Sequence, residues 1–488
     1  MSNHLLTASP EPIAPGWDAS NSPATLTPDS QVPTDTLDHR DFDDDPWWQA
    51  IPTWRNLSQG EFFDHRFQLR ESVTTIEKLE ELVAPLVDDS FLADVRAGLS
   101  KAPMAMRISP YLLSRINWAA PYSDPIRRQF IPVASSQLPD HPRLTLDSLH
   151  EQKDSPAPGL VHRYPDKALF LVLDVCPVYC RFCTRSYAIG GATETVDKLD
   201  FKPSTARWEA AFEYLRATPA IEDVVISGGD AFMLPPRLLE VIGNTLLEIP
   251  HIRRMRFATK GPAVMPMKVL SDEAWTDALT GVVERGRTLG KEVCLHTHFN
   301  HTAEITAVTR EAMQLLFSRG VTVRNQSVLI RGVNDDPAEQ TALIKKLSYM
   351  NVQPYYTYQH DMVKHVEELR TRVGDTIELE RQVRGSTAGF NTPLFIVDLP
   401  GGGGKRDVHS FDAYDEVSGI SVYRSPRVDP DAAYLYFDPV DLLPREGRAR
   451  WEDPQEHPQM IREALEAAGL STAATRRALG AASVRAVR

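Results

Sequence analysis

From about residue 160 onward the chain alternates short β-branched runs with amphipathic helical stretches, and this alternation constrains the fold more than any other feature. A first strand is read at Ala168 to Val175. The helix after it places Trp208, Ala211, Phe212 and Leu215 at i, i+3, i+4 and i+7, one apolar face, and a strand at Asp223 to Ser227 follows. Further strands are expected at about 252–259, 292–299, 321–330, 352–358 and 393–398. Helices near 237–248, 272–288, 304–319, 337–350 and 366–384 separate them, and Gly320 closes one as its C′ residue. Six or so successive βα units predict an α/β fold built as an open, partial (β/α)6-type TIM barrel rather than a doubly wound sheet. In such barrels the chemistry gathers at the carboxyl ends of the strands.

The flanks read differently. Residues 1–45 are rich in Pro, Ser, Thr and Asp and are expected to form a disordered leader. Residues 46–155 form a mainly helical N-terminal cap with Trp47, Trp48 and Trp54 as anchors, 156–400 the barrel, and 401–488 a C-terminal extension that opens with a glycine run. The tail from about 451 reads as helical, with Ile461, Leu465 and Ala468 on one side. A net charge of −13 with scattered Lys and Arg disfavours nucleic acid as a partner and suits a small-molecule enzyme. No apolar run approaches the roughly 18 to 20 residues that span a bilayer, so a cytoplasmic protein without a membrane partner is expected.

Three of the four cysteines fall within eight residues, Cys176-Pro-Val-Tyr-Cys180-Arg-Phe-Cys183, directly after the first barrel strand. Four cysteines in so long a chain do not make a disulfide framework, and the clustering points to a metal. Three thiolates on a [4Fe-4S] cluster leave one iron open, and an open iron can chelate the amino and carboxylate groups of S-adenosylmethionine. An electron from the cluster then cleaves the carbon–sulfur bond and starts radical chemistry. A structural zinc would need a fourth ligand, which this loop does not offer. Cys294, alone on a later strand, reads as a buried free thiol.

Two further motifs stand at strand ends. Ser227-Gly228-Gly229-Asp230 lets backbone approach a ligand closely, with Asp230 placed to meet an ammonium group, although the same residues also make an ordinary β-to-α turn. Gly401 to Gly404 precede Lys405. Four residues without side chains allow a planar group to lie on the backbone, and a desolvated lysine can form a Schiff base with pyridoxal 5′-phosphate. A flexible surface loop is the alternative reading of the same run.

Taken in order, these residues resemble the lysine 2,3-aminomutase family of radical S-adenosylmethionine enzymes. The resemblance runs through Pro-Gly-Leu-Val-His-Arg-Tyr-Pro from Pro158, the cysteine motif extended to Thr184 and Arg185, Ser-Gly-Gly-Asp, His296-Thr-His-Phe-Asn-His301, Asn325-Gln-Ser327, Tyr358-Gln-His-Asp361 and Pro-Gly-Gly-Gly-Gly-Lys405, and spans about 45–440. It implies that Lys405 is catalytic and holds pyridoxal phosphate, with Arg163 at the phosphate. It implies that His298, Gln326 and Gly228-Gly229-Asp230 border S-adenosylmethionine, that Arg185 holds the substrate carboxylate, and that Asp361 and Asp398 hold its distal cation. An external electron donor of flavodoxin or ferredoxin type and a homo-oligomer are implied as well.

Two carboxylates facing one pocket call for a cation, which disfavours an anionic substrate side chain. The expected reaction is therefore conversion of L-lysine to L-β-lysine by migration of the α-amino group to C3, with arginine or another basic amino acid as the alternative. A radical enzyme of other outcome and an iron–sulfur electron carrier are the remaining alternatives. No side-chain base can remove the unactivated β-hydrogen; a carbon radical can. Some residues depart from the family pattern. Lys167 stands where arginine is usual, Thr259-Lys260-Gly261-Pro262 replaces an Arg-Thr-Pro segment, and the stretch from Ser186 to Pro203 is longer, which is expected to reshape the pocket beside Arg185. No cysteine follows Cys294, so a zinc at a subunit interface is not expected.

Overall fold

The computed structural model describes residues 38–199 and 202–470. Most of the expected leader and the end of the tail lie outside these residues. A nine-stranded sheet runs in sequence order through β1 (Leu160–Tyr164), β2 (Lys167–Leu173), β3 (Asp223–Gly228), β4 (Arg254–Ala258), β5 (Glu292–Thr297), β6 (Thr322–Val328), β7 (Val352–Tyr358), β8 (Leu394–Leu399) and β9 (Gly404–Asp407). β2 to β8 are parallel neighbours, while β1 and β9 pair antiparallel at the two edges. The sheet curls into a nearly closed barrel. Its edges approach one another where the Lys405 backbone N–H on β9 donates to the Tyr164 hydroxyl on β1 at 2.7 Å.

The parallel strands follow the expected ones closely, because strands covered on both faces read as apolar runs. β2 buries Phe170, Leu171, Val172 and Leu173 in succession. The helix Thr205–Ala217 buries Trp208, Ala211, Phe212 and Leu215, the four positions its periodicity selects. Further round, the strands alternate. Val293 and Leu295 on β5 join the main apolar core, whereas their neighbours are polar: Arg324 bonds Glu292 at 2.7 Å and the Cys294 thiol at 3.2 Å, and His296 packs on Tyr355. This part of the barrel therefore carries a hydrogen-bonded interior rather than layers of branched aliphatic residues.

The helical N-terminal region packs beside the barrel through aromatic contacts. Trp48 stacks on Phe62 at 5.1 Å, and Trp47 meets Tyr111 edge-on at 5.2 Å. Tyr111 in turn donates to the Glu304 carbonyl just beyond β5. Past β9 a second antiparallel sheet appears that periodicity did not indicate, made of β10 (Ala413–Asp415), β11 (Ile420–Ser425) and β12 (Asp429–Phe437). The helix His457–Ala467 lays Met460, Ile461, Ala464 and Leu465 into the same core as this sheet.

Candidate active site

The cysteine loop leaves β2 at its carboxyl end and is braced on both sides. Tyr179 N–H donates to the Arg107 carbonyl at 2.9 Å, and Arg181 N–H to the Gln129 carbonyl at 3.0 Å. The Arg181 guanidinium pairs with the buried Glu368 carboxylate. Phe182, variable in the motif, is buried among Ile330, Val333, Val363, Val366 and Leu369, with its ring 5.6 Å from that of His298. With these anchors in place, Cys176, Cys180 and Cys183 remain partly exposed. Their surroundings push all three thiols upward, Cys180 to about 12, so a bound metal rather than solvent would have to displace the protons. Among the described residues no group of three or more His, Cys, Asp or Glu converges on a single metal ion. Thiolates that each bind a different iron of a cube need not converge in that way.

The end of β3 is locked to this loop. Gly228 sits at φ +110°, and a Cβ on Gly229 would come within 2.3 Å of the Val175 carbonyl oxygen. The N–H groups of Gly229 and Asp230 donate to the carbonyls of Leu173 and Val175. Asp230 is buried, and both its carboxylate oxygens accept backbone N–H bonds, from Phe232 at 2.8 Å and from Lys260 at 2.7 Å. In this structure its carboxylate ties the end of β3 to the end of β4.

A second group gathers where β7 and β8 end and β9 begins. Asp398 and Lys405 are directly opposed across β8 and β9, and Lys405 Nζ donates to Asp398 Oδ2 at 2.7 Å. Desolvation would lower the Lys405 ammonium, but Asp398 together with the Tyr358 and Tyr164 hydroxyls outweighs it and holds the group well above its usual range. Nζ lies 5.6 Å from the centre of the Tyr358 ring, whose hydroxyl donates to Gln326 Oε1 at 3.3 Å. Asp361 Oδ2 accepts from the Thr184 hydroxyl, which joins this group to the cysteine loop. Burial first, and then Asp398, push the Asp361 carboxyl up to about 7. Asp361 Oδ1, Asp398 Oδ1 and His298 Nε2 are buried without a hydrogen-bond partner.

The glycine run is the turn from β8 into β9. Gly402 adopts φ +93°, and a side chain there would meet Asp154 Oδ2 at 3.4 Å and Arg163 Nε at 3.5 Å. Arg163 is held against the run by Asp154 at 2.8 Å and by the Leu149 carbonyl. Arg185 makes a two-pronged pair with Glu151, Nε to Oε2 at 2.8 Å and Nη2 to Oε1 at 2.7 Å, and Tyr187 donates to the same carboxylate at 2.9 Å. Sequence reasoning missed Glu151 and Tyr187 and gave no role to Tyr164 and Tyr358, although both stand in the segments that carry the resemblance. Glu151 lies in a stretch without periodicity, and only its distant partner gives it a role. The stretch after Ser186 docks on the N-terminal region, with Thr195 bonding the Ala102 carbonyl at 2.9 Å and Lys198 the Pro103 carbonyl at 2.5 Å.

A thiol-bearing loop at the carboxyl ends of a partial barrel defines a class, and the Radical SAM superfamily matches residues 170–343 of this chain. The enzyme is of the radical S-adenosylmethionine type, which implies a [4Fe-4S] cluster and S-adenosylmethionine, and the donor set of the cysteine loop fits that cluster. The chain is 38% identical over 357 residues to the L-lysine 2,3-aminomutase of Clostridium subterminale, covering 73% of this chain and 80% of that protein. It is 35% identical to the L-lysine 2,3-aminomutase of Bacillus subtilis (strain 168), over 73% of this chain and 71% of the relative. Glutamate 2,3-aminomutase of Clostridioides difficile (strain 630) is 32% identical over 73% of this chain and 79% of its own length. The chain belongs to the lysine 2,3-aminomutase family of radical S-adenosylmethionine aminomutases.

Proposed function

We propose that this chain is a pyridoxal phosphate-dependent 2,3-aminomutase that converts L-lysine to L-β-lysine. The observation that carries the reading is the pair Asp361 and Asp398, each with one buried, unpartnered oxygen, with Lys405 as the cation bonded to the pair and Arg163, held by Asp154, as a second cation near Asp398. Once Nζ is engaged by a cofactor, the two acids lose that cation. A buried pair of carboxylates without a counter-charge is strongly disfavoured, so the site then selects a substrate that brings its own distal ammonium. A glutamate side chain would add a third negative charge to the same place.

The residues around Lys405 fit pyridoxal phosphate: Tyr434 and Tyr164 pack so closely on Gly403 and Gly404 that the turn admits no side chain and Lys405 emerges from a fixed backbone, and Arg163 supplies a cation against Gly402. When bound, that group offers a π system to carry the migrating nitrogen, and the cluster with S-adenosylmethionine offers the carbon radical that abstracts the β-hydrogen. The protein's own share is orientation. Asp361 and Asp398 hold the distal ammonium, Arg185 holds the α-carboxylate, and His298, Gln326 and the Gly228-Gly229-Asp230 turn border the sulfonium cosubstrate. With both ends of an extended amino acid fixed, C2 and C3 stay in register with the reacting groups.

Anaerobic reconstitution with iron, sulfide and pyridoxal phosphate, followed by a panel of lysine, arginine, ornithine and glutamate, tests the reading. Isotope-labelled lysine is expected to appear as β-lysine. Turnover of glutamate with none of any cationic amino acid overturns it, and turnover of arginine alone moves the assignment to the guanidinium substrate, which obeys the same charge rule.

A further inference from the structure

We infer that Glu151 is a positioning residue for the substrate's α-carboxylate, acting through Arg185 by fixing which edge of the guanidinium is left for the ligand. The inference rests on the role proposed above for Arg185. A guanidinium presents its donors along two usable edges, a side edge made by Nε and one terminal nitrogen and an end edge made by the two terminal nitrogens. Glu151 occupies the side edge with both oxygens, at 2.8 and 2.7 Å. Nη1 bonds no described residue, so the end edge is the one that stays open. A substrate carboxylate therefore meets Arg185 end-on.

The burial is asymmetric in the way this assignment needs. The Glu151 side chain is 5% exposed and that of Arg185 21%, so the acid is the fixed partner and the guanidinium the one that reaches open space. Glu151 is held from two further sides. The Tyr187 hydroxyl donates to Oε2 at 2.9 Å, and the Glu151 backbone N–H donates to Asp147 Oδ1 at 3.0 Å. Desolvating a carboxylate costs several kcal/mol, and an arginine that only had to attract an anion would bind it more strongly without a neighbouring acid. What the acid adds is a fixed guanidinium plane, at the expense of part of the charge.

The same short segment also touches the other end of the site. The Gly401 N–H donates to the Ser148 carbonyl at 2.8 Å, and Arg163 donates to the Leu149 carbonyl. Residues 147–151 thus act as a strap that sets the glycine turn and the Arg185 plane relative to each other. A purely structural ion pair would brace the fold without making ligand binding depend on the ligand's carboxylate.

The test uses the anaerobically reconstituted holoenzyme and two ligands, L-lysine and L-lysinamide, which lacks the carboxylate charge. Affinity is read from the change in pyridoxal absorbance, with KM and kcat measured for lysine. Glu151→Gln is expected to weaken lysine by about tenfold or more, mainly in KM, as befits disturbing one partner of a desolvated charge pair. Lysinamide is expected to change by less than about twofold, and adding Glu151→Gln to Arg185→Lys should weaken lysine no further. Equal weakening of both ligands, or unchanged lysine affinity, overturns the inference. If Glu151→Gln does not fold, Tyr187→Phe removes one donor to Glu151 and should show the same lysine-selective loss, about threefold. A lysine-selective loss in neither variant also overturns it. Wild-type protein whose absorbance responds to neither ligand refutes the proposed function itself, which is distinct from a responsive wild type with an indifferent Glu151 variant.

Discussion

Asp398 and Lys405 face each other directly across the antiparallel pair β8 and β9, and the lysine ammonium donates to Asp398 Oδ2 at 2.7 Å. Opposed residues in an antiparallel pair share one face of the sheet, so the tight glycine turn between the strands delivers the cation onto the acid. This one register fixes three things together: the charge state of Lys405, the neutralisation of Asp398, and the meeting of β9 with β1 through Tyr164.

Lys405→Ala should therefore do two separable things. Pyridoxal absorbance retained after gel filtration should disappear, while iron content stays at the wild-type level. The variant should also lose about 1–2 kcal/mol of stability in urea at pH 8, because the buried Asp398 is left without its ion-pair partner; the fully buried case costs about 3–5 kcal/mol and the third of the lysine side chain that is exposed reduces it. Adding Asp398→Asn should restore most of that stability without restoring the absorbance.

Lysine affinity should rise with pH through neutrality. The Asp361 carboxyl, faced by Asp398, Lys405, Thr184 and Glu151, is pushed up to about 7 while the Lys405 ammonium is free and further up once a cofactor engages that nitrogen, so through neutrality it is protonated and cannot receive an ammonium. Each pH unit below its midpoint should weaken lysine by up to about tenfold, with the plateau on the alkaline side. Norleucine, which shares the α-amino and carboxylate groups but has no distal amine, should show no such slope, and Asp361→Asn should abolish it for lysine. Spectral titrations from pH 6 to 8.5 measure both.

The legible parts of this molecule are those where physics is local. β7, Val352–Tyr358, matches the expected run at both ends, because its β-branched and aromatic residues carry a strand signal within the segment itself. β9 reads Gly-Lys-Arg-Asp and is half turn, half strand; only its pairing with β8 makes it a strand. β12 begins Asp-Pro-Asp and was likewise hidden until β11 supplied a partner. The site divides in the same way. The cysteines and Lys405 stand in short motifs, and the grouping of Asp361 with Asp398 and Lys405 is visible in family segments. The pairing of Arg185 with Glu151 spans 34 residues and joins two elements with no shared pattern, so it emerges only in three dimensions.

Serine substitutions separate the three loop cysteines from the fourth. Replacing Cys176, Cys180 or Cys183 should remove the iron–sulfur absorption near-completely and abolish reductive cleavage of S-adenosylmethionine, since a hydroxyl is a poor ligand for iron held by thiolates. Cys294, buried on β5 and bonded to Arg324 at 3.2 Å, lies in the polar barrel interior. Cys294→Ser should retain full iron content and cleavage, as measured by iron assay and by formation of 5′-deoxyadenosine.

Gly229→Ala tests whether the β3 turn supports the cysteine loop by close backbone contact. The added Cβ would fall 2.3 Å from the Val175 carbonyl oxygen and 2.5 Å from its nitrogen, both backbone atoms that no rotamer change can move aside. The Asp230 N–H to Val175 carbonyl bond holds the two segments together at that point, so relief requires the root of the loop to shift away from β3. Overpacking of this kind costs about 1–3 kcal/mol. Because Cys176 follows Val175 directly, the shift should reach the first thiol: iron retention on gel filtration should fall well below wild type, while pyridoxal absorbance at Lys405, on the opposite edge strand, should persist. Gly281→Ala, where nothing lies within 4 Å of an added Cβ, is the control and should leave both signals intact. Equal iron retention in the two variants would mean that the glycine turn and the cysteine loop are mechanically independent.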